Sequence, residues 1–92
     1  DMDDQTDPAL VQREDGSWLV SGSVAADELA ERLDFRLDDE RDYQTVAGLV
    51  LAELRHIPTT GESVNARGWR FEVVDMDGRK IDKLIVSRVE VA

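Results

Sequence analysis

The chain has no cysteine, and that one absence removes disulfides, thiolate metal ligands and cysteine nucleophiles together. It permits a reducing compartment without proving one. Histidine occurs once, as His56, so the partners for a catalytic triad or a histidine-based zinc site are missing. No apolar run approaches the roughly 20 residues a spanning helix requires. The amino terminus "DMDDQTDPAL" has neither the basic nor the apolar region of a signal peptide. Direct membrane insertion is therefore not expected, and any anchor would lie elsewhere. Basic residues are also scarce, 11 against 21 acidic, for a formal charge of −10. Such a field repels phosphate backbones and anionic lipid, which argues against nucleic-acid binding and electrostatic lipid binding. Neither a Walker loop nor a dinucleotide fingerprint is present.

What the chain does have is enough apolar content for one core. With 92 residues, 41% hydrophobic and 35% charged, it suits a single small, well-solvated domain and not a disordered segment. Residues 1–8, acidic and ending at Pro8, read as a linker, with the domain occupying 9–92.

From Ala9 to Glu14 the chain is strand-like, Asp15-Gly16 supplies a turn, and "SWLVSG" returns as a second strand. In "SVAADELAERLDF" the residues Val24, Leu29, Ala30 and Leu33 share one helical face, with Asp27 and Glu28 in the first turn complementing the helix dipole. The charged, non-periodic "RLDDERD" predicts an exposed loop. "VAGLVLA" is apolar on all sides for two turns, which predicts a helix buried on most of its circumference. Pro58 should end that helix near Leu54 to His56. Three strands follow: "SVNA", then "WRFEVVDM" and "KIDKLIVSRV" flanking Asp77-Gly78. The shift from Trp69, Phe71, Val73 to Val74, Met76 predicts a bulge or a strand buried on both faces. The order ββααβββ describes an α+β domain, mainly antiparallel, with two helices on one face of the sheet.

Candidate chemistry is thin. His56, at a helix end, reads as a carbonyl cap or a solvated side chain. In "DMDGRK", aligned as a calcium loop, Val73 and Leu84 would occupy two ligand positions, so a hairpin turn explains it better. Asp38, Asp39, Glu40 and Asp42 crowd one loop, where adjacent carboxylates are normally just hydrated. Gly48 costs about 1 kcal/mol relative to alanine inside a helix. It therefore marks a close approach, expected against the sheet, with a ligand on the bare backbone as the alternative. No catalytic residue and no metal ligand is assigned, and an enzyme is not expected.

Three stretches carry a resemblance to a known family. "DGSWLVSGSVAADEL", "DYQTVAGLVLAEL" with "IPTTGESV", and "GWRFEVVDMDGRKIDKLIV" resemble, in order and spacing, the signatures of the CorC/HlyC transporter-associated domain. The resemblance implies a fold similar to a flavin-binding domain of certain oxidoreductases. It also implies a C-terminal module on the cytoplasmic side of the cell membrane, following a CBS domain pair and a membrane domain in magnesium and cobalt efflux or haemolysin-like proteins. The expected role is regulatory or interaction-based, with the CBS pair and membrane domain as partners and a homodimer left open. The alternative it implies is a module binding FAD or an adenine nucleotide. Carried over, the family's positions are Thr45 and Gly48 on the helix, Pro58 and Gly61 at its exit, and Asp77, Gly78, Arg79 and Ile81 at the hairpin. Thr45 is expected to cap the helix and Ile81 to pack in the core. Arg79 is expected to pair with an acid of the "DDERD" loop or to face a partner domain. Thr45, Gly48 and Arg79 are the candidates for cofactor binding. One departure is Arg55, where relatives commonly carry glycine; it leaves more of the helix termination to Pro58.

Overall fold

A computed structural model describes residues 9–89 of the chain. The expected linker, residues 1–8, and the last three residues lie outside the described residues. Strands β1 (Leu10–Gln12) and β2 (Trp18–Ser21) are followed by helices α1 (Ala26–Leu33) and α2 (Val46–Leu54), then by β3 (Ser63–Ala66), β4 (Trp69–Asp77) and β5 (Lys80–Arg88). The ββααβββ order and the α+β class are those expected from the sequence. The strands form one five-stranded sheet in the order β1-β2-β5-β4-β3, every neighbour antiparallel. Because β2 pairs with β5, the first hairpin is joined to the last strand in this one open sheet.

Leu29, Leu33, Val46, Leu49 and Val50 of the helices share one core with Val20, Phe71, Val73, Leu84 and Val86 of the sheet. Each fully buried side chain of this size contributes roughly 2 kcal/mol by removal from water. Trp69, Phe71 and Val73 alternate inward with the pleat of β4. Past Val73 the register slips: Asp75 pairs with Lys83 and Met76 with Ile81, so Val74 is extra on β4 and Asp82 is extra on β5. One added residue on each strand shifts the inward parity, which is why Met76 and Ile81 both reach the core. Of the two explanations for the broken alternation, the bulge is therefore the correct one. The second hairpin turns at Gly78-Arg79, one residue later than expected, with Gly78 at φ 62°.

The two helices begin side by side. Ala25 and Thr45 form a bridge, and the Ala26 N–H bonds the Gln44 carbonyl at 2.8 Å while the Val46 N–H bonds that of Val24 at 2.9 Å. Each helix thus borrows a backbone acceptor from the segment leading into the other.

The end of α2 corrects an expectation. Arg55 itself takes the left-handed conformation, φ 66°, ψ 21°, and its N–H bonds the Leu51 carbonyl at 2.7 Å. The left-handed stop survives without glycine, and Pro58, which is buried, only completes the exit. His56 adds to this stop: its Nδ1 lies 2.9 Å from the Leu54 carbonyl oxygen and its Nε2 meets a Glu62 carboxylate oxygen. It is a carbonyl cap, as expected, and also a link to the approach of β3.

Candidate functional site

Gly22 joins three elements. Its N–H bonds the Asp82 carbonyl at 2.9 Å and its own carbonyl accepts the Ala47 N–H at 3.0 Å, so β2, β5 and α2 meet on one residue. A β-carbon there would overlap the Ile81 carbonyl oxygen and lie 3.2 Å from the Ala47 β-carbon. Nothing in the alternation of the surrounding residues signalled this requirement.

Beside this junction, between α2 and the β4–β5 hairpin, lies a cavity of about 400 Å³. Ala47, Gly48 and Leu51 form its helix wall, and Ile81 lines it from the sheet. The hairpin side carries both signs of charge, with Arg79 and Lys80 between Asp77 and Asp82. Thr45, Gly48 and Arg79, candidates on resemblance alone, all line this one cavity. A volume near 400 Å³ and a partly apolar lining are within the usual range of ligand sites.

The hydrogen bonding limits what the cavity can hold. Helix N-termini normally offer free N–H groups to an anion. Here Val46 and Ala47 donate to the Val24 and Gly22 carbonyls, Gly48 donates to Thr45 Oγ1 at 3.1 Å, and Leu49 donates to the Thr45 carbonyl at 2.9 Å. Thr45 is thus the helix cap expected of it, and it leaves no cradle for a phosphate at this helix end. The hydroxyls of Ser21 and Ser23 are 2.9 Å apart and bond each other.

Gly48 needs a different account from the one expected. The crowding is with Tyr43, whose β-carbon would stand 2.8 Å from an added β-carbon, and not with the sheet. Arg79 is exposed at the hairpin turn and does not reach the acidic loop. Arg41, within that loop, does the pairing: one terminal nitrogen lies 2.5 Å from Asp27 Oδ1 and the other donates to the Asp38 carbonyl at 3.0 Å. Asp38 Oδ1 in turn accepts the Glu40 N–H at 3.1 Å, so the loop is organised by a cation and a turn. Arg41 Nε and Tyr43 Oη, near this loop, are buried without a protein partner. Among the described residues, no three His, Asp or Glu side chains gather as a metal-holding group.

Two carboxyls are perturbed, both at turns. The Ser17 hydroxyl and N–H hold the Asp15 carboxyl below the usual range, at 2.6 and 2.9 Å. His56, and then the Thr59 N–H, hold Glu62 below it. Neither lines the cavity, and both act as clasps.

This fold, with its groove beside α2, is that of a transporter associated domain. The family of that description matches residues 11–90, and the chain belongs to it. A UPF0053 protein of Synechocystis is 39% identical over 90 residues, covering 95% of this chain and 20% of that protein. The polyamine export protein of Escherichia coli K12 is 37% identical over 82 residues, covering 88% of this chain and 18% of that protein. The chain thus spans about a fifth of the length of these relatives. A transporter associated domain from a Xylella fastidiosa hemolysin superposes with a TM-score of 0.82 at 40% identity, covering 92% of this chain and 100% of that one. The same domain in complex with Mg++ and Mn++ gives 0.81 at 41% identity, covering 90% and 100%. Among the described residues of this chain, no helix is long and apolar enough to cross a membrane.

Proposed function

We propose that this domain is a non-catalytic regulatory and interaction module on the cytoplasmic side of a membrane transport protein. It would pack against a neighbouring CBS pair and bias that pair's arrangement, with ion efflux as the parent's activity. The observation that carries this reading is the state of α2: its leading N–H groups are all consumed within the fold, while its wall at the groove is apolar. Such a surface suits packing better than phosphate recognition or chemistry. The family's description as transporter associated supports the setting.

A second reading has one observation in its favour. Thr45, Gly48 and Arg79 converge on a single cavity, which would admit an adenine or flavin ring against Gly48 with Arg79 and Lys80 near its phosphates. Calorimetric titration of the domain with FAD, AMP and ATP separates the two: saturable heat with a thermal shift at millimolar ligand establishes the second reading, and silence removes it. Light scattering of the domain with and without its preceding domains checks the first. Wholly independent behaviour would overturn it.

A further inference from the structure

We propose that His56 and Glu62 form a proton-operated clasp between the end of α2 and the approach to β3, closed when the imidazole is charged and loosened when it is neutral. This device goes beyond both readings above and depends on neither.

An imidazolium carries two N–H groups and a neutral imidazole carries one. His56 meets an acceptor on each ring nitrogen: Nδ1 lies 2.9 Å from the Leu54 carbonyl oxygen, and Nε2 meets a carboxylate oxygen of Glu62. Neither acceptor has a hydrogen to give back, so the charged ring alone satisfies both contacts at once. Removing the proton leaves a lone pair facing the carbonyl or the carboxylate, whichever tautomer the ring adopts. Histidine is the side chain that makes this change near neutral pH.

The clasp closes the connection 56–62, which holds exposed Ile57 and buried Pro58. On the helix side, Leu54 ends α2 and Arg55 turns left-handed with its N–H on the Leu51 carbonyl. On the sheet side, the Glu62 carbonyl accepts the Val73 N–H at 2.9 Å, and its second carboxylate oxygen accepts the Thr59 N–H at 3.2 Å. Releasing the ring therefore frees the last turn of the helix from the edge of the sheet.

Among the described residues, Glu62 is the charged group within ion-pair reach of His56. Glu53, on the last turn of α2, instead faces Arg67 at 4.0 Å, Arg55 is the chain neighbour of His56, and β3, "SVNA", carries no charge. His56 holds the Glu62 carboxyl below its usual range, so the carboxylate is in place wherever a histidine titrates. The sign follows from the contacts: the folded chain holds this proton in two hydrogen bonds that the unfolded chain lacks, so the clasp stabilises at lower pH and its contribution is lost as pH rises.

His56 is the one histidine of the chain and cysteine is absent, which makes the test specific. Between about pH 6 and pH 8 no other side chain changes charge at its ordinary value, and the amino terminus is common to every variant. Urea unfolding of the unmodified 92-residue chain, His56→Gln and Glu62→Gln is compared at those two pH values. The folding equilibrium constant of the unmodified chain should fall about threefold from the lower pH to the higher, the scale of an exposed charged pair. His56→Gln should show no such fall. Glu62→Gln should show none either, because its amide N–H can donate to the bare Nε2 of the neutral ring while Nδ1–H keeps the Leu54 carbonyl. Hydrogen exchange at the Thr59 N–H, taken relative to its intrinsic rate, should quicken at the higher pH in the unmodified chain only. An unmodified chain whose stability does not fall overturns the clasp, as does an equal fall in His56→Gln. A fall that persists in Glu62→Gln overturns Glu62 as the partner and the clasp with it. A fall with unchanged protection at Thr59 puts the effect of the proton elsewhere, which also overturns the proposal.

Discussion

The α-carbon of Gly22 faces the carbonyl oxygen of Ile81 so closely that no β-carbon fits between them. The same residue exchanges backbone hydrogen bonds with Asp82 and Ala47, so it fastens the sheet to the helix that forms one wall of the groove.

Gly22→Ala should therefore cost about 3 kcal/mol, since the obstacle is backbone that cannot rotate away. Gly48→Ala should cost less than half as much. Its new methyl displaces the β-carbon of Tyr43, in a connecting segment, and alanine regains about 1 kcal/mol of helix propensity. Urea unfolding of the two variants side by side checks the order, and a Gly48→Ala change as damaging as Gly22→Ala would contradict it.

Thr45→Ala removes the acceptor for the Gly48 N–H and should lower stability by about 1 kcal/mol. Thr45→Ser retains the oxygen and should recover most of that loss. A serine variant as weak as the alanine would show that the methyl group, and not the cap, matters.

Arg55 occupies a left-handed conformation that glycine adopts without steric cost. Arg55→Gly should stabilise the domain by about 0.5 kcal/mol, the relief of strain being partly offset by the greater freedom of the unfolded chain. Thermal melting reads this directly; a lowered midpoint would mean that the arginine side chain contributes more than its backbone costs.

Glu62 titrates below its ordinary value of 4.5 because His56 and the Thr59 N–H favour the carboxylate. The sign follows: the clasp's contribution is present above pH 4.5 and is lost as pH falls through the lower folded value. Asp15 acts in the same direction through Ser17. Stability measured from about pH 6 to pH 2 should fall less steeply in Glu62→Gln than in the unmodified chain. Parallel profiles would remove the clasp from the account.

Much of the fold was legible because its signals are local. The Asp15-Gly16 turn, the period of Leu29 and Leu33, and the broken alternation after Val73 each state their geometry within a few residues. Thr45 was legible for the same reason, since a cap acts three residues away. Gly22 was not, because its necessity comes from Ile81 and Ala47, far along the chain. Gly48 was legible as a close approach but not as one with Tyr43, since composition names no partner. Arg55 runs the opposite way: without glycine there the sequence assigns more of the helix stop to Pro58, yet Arg55 itself takes the left-handed conformation, with its N–H on the Leu51 carbonyl and the His56 cap beside it.

By itself, then, the sequence determined the order of elements, the apolar nature of α2 and the negative field, which depend on neighbouring residues or on sums over all of them. Tertiary structure decided that Thr45, Gly48 and Arg79 share one cavity and that α2 keeps one wall uncovered. Those facts depend on β5 pairing with β2 and carrying the β4–β5 hairpin alongside the helix. Strand pairing between the beginning and the end of a chain is a long-range choice that no local pattern records.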